Sequence, residues 1–148
     1  MKIFTPTVLT IGILIGSFMN QDVPATKVPN EVKNAFERNF NNPTDVEWEM
    51  KGDRYEVDFD LGNVDHSALY TAVGELLMIK MELNEQDLSP VIRQRIIDDF
   101  REYKIDDIDQ VKMGDRVLYQ IALEGPSRDL KVVYNDKGGI EGNFEYWD

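Results

Sequence analysis

Carboxylates are the side chains this sequence offers most freely for chemistry. Glu47, Glu49, Glu56, Asp58 and Asp60 recur at every second position through two short stretches, and Asp106, Asp107 and Asp109 gather in a third. Paired carboxylates can run acid–base hydrolysis, hold a hard cation or neutralise a basic partner. Hydrolysis needs a deep cleft, and a small helix-backed sheet offers a shallow one. Asp106-Asp107-Ile108-Asp109 lacks the glycine and distal glutamate of a calcium loop and reads as a solvated connection. The single histidine, His66, follows Asp65 in a segment read as a loop, and one histidine makes no metal centre. Ser67, Ser89 and Ser127 sit in no nucleophile elbow, and Gly138-Gly139 reads as a turn, not a phosphate cradle. Cysteine is absent. The chain is therefore read as non-catalytic, with no cofactor and no metal.

Periodicity shows which elements must position those carboxylates. Val46, Trp48 and Met50 alternate with Glu47 and Glu49, and Tyr55, Val57 and Phe59 alternate with Glu56, Asp58 and Asp60. A period of two makes half-buried strands, so the five carboxylates share one sheet face. Trp48, Tyr55, Phe59, Tyr119 and Tyr134 are expected on the other, in the core. Two amphipathic helices supply its cover. One carries Val32, Ala35, Phe36 and Phe40; the other carries Ile92, Ile96, Ile97, Phe100 and Tyr103, opened by Ser89 as cap and Pro90 in the first turn. Further strands are expected over 68–71, 76–83, 110–113, 117–123 and 130–134, with a last one near 140–146.

The two halves echo each other. Tyr55-Glu-Val-Asp-Phe59 aligns with Tyr119-Gln-Ile-Ala-Leu123, and Tyr70 and Gly74 align with Tyr134 and Gly138, each 64 positions apart. A duplicated helix-plus-four-strand unit is expected, about 28–83 and 88–146, within one domain over 23–148. Short connections imply antiparallel pairing, so the fold class is α+β: a tandem repeat with its helices on one face of a curved antiparallel sheet.

Ahead of this lies an address. Lys2 followed by the apolar run from Val8 to Met19, too short for a comfortable span, reads as a secretory signal peptide over 1–22 with a poorly marked cleavage site, the alternative being an uncleaved N-terminal anchor. A periplasmic or secreted protein is expected, free of the membrane once the signal is removed. The net charge of −12 argues against nucleic acid and against an anionic membrane surface.

Val28-Pro29, the helix after it, Val46-Glu-Trp48-Glu, Tyr55-Glu-Val-Asp-Phe59 and Tyr70-x-x-x-Gly74-Glu-Leu, repeated more weakly from Leu88, together resemble the PepSY-like domains of exported bacterial proteins. That family is grouped with the β-lactamase-inhibitor-like fold and is common in Bacteroidetes. The resemblance spans about 28–142. It implies helices on one sheet face and, by analogy with related inhibitors, a partner enzyme gripped by the other; it brings no catalytic residues. A protein partner is accordingly expected on the open face, at Glu47, Glu49, Glu56, Asp58 and Asp60, then Leu118 and Gln120 in the less charged second half, with Trp147 joining them or folding back over a sheet edge. The alternative is a small ligand or cation held by the same carboxylates.

Overall fold

The computed structural model describes residues 20–148. The expected signal segment lies outside them except for its last three residues, which form strand β1 (Asn20–Asp22) against β2. Helix α1 (Asn30–Asn39) follows, then β2 (Thr44–Lys51), β3 (Arg54–Leu61), β4 (Val64–Thr71) and β5 (Leu76–Glu82). Helix α2 (Pro90–Asp99) leads into β6 (Lys104–Met113), β7 (Arg116–Glu124) and β8 (Leu130–Asn135). The strands form one open sheet in sequence order, every neighbour antiparallel. Short hairpin connections dictate that order within β2–β5 and within β6–β8, and the longer connections that carry α1 and α2 also return the chain to the neighbouring position, β1 beside β2 and β5 beside β6.

Both helices pack on the same sheet face, over separate apolar clusters. Phe36 of α1 meets Trp48 and Phe59 edge-on, at 5.4 and 4.9 Å between ring centres, with Val57, Ala68 and Tyr70 completing the cluster. Ile92 and Ile96 of α2 pack on Ile108, Ile121, Leu123 and Tyr134. Such aromatic pairs add about 0.5–1.5 kcal/mol each beyond the area they bury. The core aromatics expected from alternation thus lie where predicted, Tyr55 and Tyr119 only partly covered. Ile97, assigned to the apolar stripe, is exposed. Ser89 stands at the N-cap of α2 but makes no side-chain capping bond.

The halves share further detail. Gly74 and Gly138 both have φ near +80°, and a Cβ on either would run into the helix above it, at Glu31 or Val91. Only glycine meets both demands. Tyr70 and Tyr134 are each fully buried under their helix. Asn39, the last residue of α1, donates to the Tyr70 hydroxyl at 3.1 Å. In the corresponding place at the end of α2 stands Asp99, and the Tyr134 hydroxyl is buried with no partner. Burial, with the Asp99 carboxylate adding to it, pushes that hydroxyl up to about 12. Asp99→Asn is expected to supply the missing donor and raise the unfolding free energy by about 1 kcal/mol. Urea unfolding checks this; an unchanged or lower midpoint contradicts it.

The second half departs from expectation at its end. After β8 the chain turns at Asn135–Gly139, makes one isolated bridge, Ile140 to Tyr134, and forms no strand over 140–146. The expected fourth strand of that half is absent. Two bonds fix the departure: Asn135 Nδ2 and Arg116 both hold the Glu141 carboxylate, at 3.0 and 3.1 Å. The backbone then leaves the sheet edge.

Candidate functional site

Alternation turns a second set of side chains away from the helices. On β2 and β3 Glu47 faces Asp58 and Glu49 faces Glu56. Asp60 faces Asp65 across β3 and β4. Lys80 and Glu82 of β5 and Asp107 and Asp109 of β6 extend the set. Together they line an open trough of about 640 Å³, with eleven carboxylates against two lysines and one histidine. Like charges directly opposite destabilise a sheet. Lys51 relieves one pair, its ammonium 3.4 Å from Glu49 and 3.3 Å from Glu56.

The remaining strain shows in the acids. Burial pushes Asp109 up to about 6; Lys80 opposes the rise, and Asp107 and Glu82 add to it. Burial likewise raises Glu56, against the hydrogen bond from Trp147 and the charge of Lys51. Asp60 is raised by partial desolvation and by Asp65 beside it. These residues already repel a further negative charge, so what they can do chemically is attract cations.

Beside the trough the same face is apolar, and it is covered. Leu69, Val111, Leu118 and Val133 form a third cluster, and the segment 144–148 lies over it with Trp147 buried among them. Gln120 clamps that segment at both backbone groups of Trp147: its Oε1 accepts from the amide at 2.7 Å and its Nε2 donates to the carbonyl at 3.0 Å. The indole N–H donates to Glu56 Oε2 at 2.7 Å. Lys80 donates to the same carbonyl at 3.2 Å and lies 5.3 Å over the indole ring. Lys131 holds Asp148 and sits 4.8 Å over Tyr146.

Four expected site residues, Glu47, Glu49, Asp58 and Asp60, are together on the trough and reach solvent. Glu56 borders it but is 97% buried, engaged by Trp147 and Lys51. Leu118 and Gln120 do lie on the same face, yet both are fully buried beneath the segment 144–148, so they are not an open docking surface. Trp147 neither joins an exposed surface nor caps an edge; it inserts into the sheet face. His66 is in β4, not a loop, stacked on Phe59 at 5.5 Å. Asp106, Asp107 and Asp109 belong to β6, not to a solvated connection. Sequence reasoning does not assign Asp109 to the site and does not single out Lys80. The signal for both was weak alternation, Asp107, Asp109 and Val111 on one strand and Met78, Lys80 and Glu82 on another.

An eight-stranded antiparallel open sheet with two helices on one face is the architecture of β-lactamase-inhibitor-like proteins. A BLIP-like protein from Bacteroides fragilis superposes with a TM-score of 0.68 at 19% identity, covering 84% of this chain and 94% of its own. A protein from Bacteroides eggerthii described as "putative periplasmic" gives 0.72 at 14%, covering 76% and 85%. A DUF2874 family protein from Bacteroides ovatus gives 0.69 at 14%, covering 76% and 83%. The sequence profile of the family described as "Putative beta-lactamase-inhibitor-like, PepSY-like" matches residues 17–77 and 53–141. The chain belongs to that family. No curated protein matches it. Among the described residues no helix is long and apolar enough to cross a membrane.

Proposed function

We propose that this chain is an exported, non-catalytic binding module that docks a cationic protein partner in the acidic trough. The observation that carries this is the trough's imbalance of charge on a face the helices leave uncovered. A sheet that sets Glu47 against Asp58 and Asp60 against Asp65 gives up stability, and a basic partner restores it while the same field speeds encounter. An enzyme inhibited in the envelope or outside the cell is the partner suggested by the family's description. Export rests on the apolar leader and on the "putative periplasmic" description of a structural neighbour. The shared glycine and tyrosine positions support descent of the two halves from one duplicated unit, the second having kept three strands.

Pull-down from envelope extract tests the docking role. A Glu49→Lys/Asp58→Lys double variant is expected to lose at least tenfold of the captured partner, as is wild type in high salt. Equal capture by both proteins would contradict it.

The concentration of carboxylates favours a second reading, a small-ligand or cation-binding protein, although among the described residues no three metal-ligating side chains converge. Millimolar calcium would then raise the melting midpoint; an unchanged midpoint removes this alternative.

A further inference from the structure

We infer that the segment 144–148 is a displaceable strap occupying the apolar half of the docking face, and that the partner segment displacing it is both cationic and aromatic. This rests on the docking role proposed above and adds the chemistry of what is docked.

The strap is held unlike any other apolar cover in the fold. The helix-side clusters are sealed by helices with complete backbone ladders. The third cluster is sealed by a segment outside any strand, whose grip on the sheet face comes from side chains: Gln120, Lys80, Lys131 and the indole bond to Glu56. Removing such a strap breaks no strand pairing.

Its fastenings also belong to the trough. Glu56, Lys80 and Asp148 line the trough and hold the strap, or form part of it. A cationic chain entering there competes with Lys51 for Glu56, 3.3 Å away, and with Lys80 for the carboxylates of Glu82, Asp107 and Asp109 that line the trough with it. Lys80 freed from its position no longer anchors the Trp147 carbonyl or covers the indole. The strap thus loosens as the trough fills, and a slot lined by Leu69, Val111, Leu118 and Val133 opens beside it. The slot's own occupant states what fits: an aromatic ring with an N–H donor for Glu56. Basic residues flanking such a ring would lie over the carboxylates.

While the strap is closed, only the open fraction binds, and apparent affinity is reduced by that fraction. The test uses the full chain, 15N-labelled, with two unlabelled probe peptides of equal charge, Lys-Trp-Lys-Trp-Lys and Lys-Ser-Lys-Ser-Lys. Trp48→Phe assigns the two indole signals. The tryptophan peptide is expected to bind at least tenfold tighter than the serine peptide, and to move the Trp147 indole resonance to a solvent-exposed position. Trp147→Ala should bind the tryptophan peptide at least tenfold tighter than wild type. Lys131→Ser, which alters only an exposed fastening, should gain two- to fivefold and covers the case in which Trp147→Ala fails to fold. Equal binding of both peptides, with amides of β2 and β3 shifting and the Trp147 indole unmoved, would overturn the strap while leaving the trough's docking role standing. Binding of neither peptide at millimolar concentration would overturn both.

Discussion

Trp147→Ala is expected to lower the unfolding free energy by about 3–5 kcal/mol, the range for truncating a buried aromatic. Trp147 is 92% buried and is the centrepiece of the third cluster. Its loss opens a cavity against Leu118 and Val133 and strips Glu56 of an N–H donor in a place where burial already disfavours the charged carboxylate. Orphaning a buried carboxylate costs more than the bond's net worth, because the group cannot return to water. Trp147→Phe should recover most of the packing but not the bond, leaving a deficit of about 1–2 kcal/mol. Urea unfolding followed by circular dichroism measures both. A loss below 1 kcal/mol in the alanine variant would mean the segment 144–148 rests on the sheet without contributing to it.

Asp109→Asn is expected to do the opposite at neutral pH, stabilising the fold by about 3 kcal/mol. The direction follows from where the proton binds more tightly. Asp109 is raised in the folded chain to about 6 from an ordinary 3.8, so between those values the folded form holds a proton that the unfolded form releases. Below about 4 both forms are protonated and Asp109 costs nothing. Stability then falls as pH rises through the window, and above about 6 the full cost is present. Asparagine keeps the shape without the charge, so the variant should exceed wild type at pH 7.5, match it at pH 4, and show a flatter profile between. Melting midpoints at the two pH values check this. A variant less stable than wild type at pH 7.5 would mean that Lys80 more than compensates the burial of Asp109.

That a side chain lowers stability at neutral pH bears on the proposed docking role. A core position filled for stability alone would be apolar, as Val111 is two residues further along the same face. Asp109, Asp107 and Glu82 instead add negative charge to the trough that Glu47 and Asp58 also line. Proteins sacrifice stability in this way where a site must be ready for something not yet bound.

Much of this was legible in the sequence because alternation is local. Tyr55 to Phe59 and Tyr119 to Leu123 each declare a buried and an outward face without help from the rest of the chain. The glycines at 74 and 138 mark turns that only glycine can make under a helix. Trp147 was not legible in the same way. Phe144, Tyr146 and Trp147 carry no period, and the partner that buries Trp147 lies 91 residues away at Glu56. For the same reason Glu56 reads as one of five equivalent outward carboxylates, although the strap makes it the single deeply buried one among them. Gln120 was placed on the correct face but could not be recognised as a backbone clamp, since its two bonds depend on where residue 147 lands. His66 was misplaced because the Asp65-His66-Ser67 run interrupts the apolar alternation at the start of β4, and strand pairing with Phe59 overrides that local signal.

Site-specific photocrosslinking in the native envelope tests the docking role most directly. A benzophenone side chain is placed at position 58 in the trough or at the exposed position 37 on α1, and adducts are identified by mass spectrometry. Position 58 should capture a basic protein in a salt-sensitive manner and position 37 should not. Equal capture from both positions, or capture from the helix side alone, would contradict a partner seated among the carboxylates.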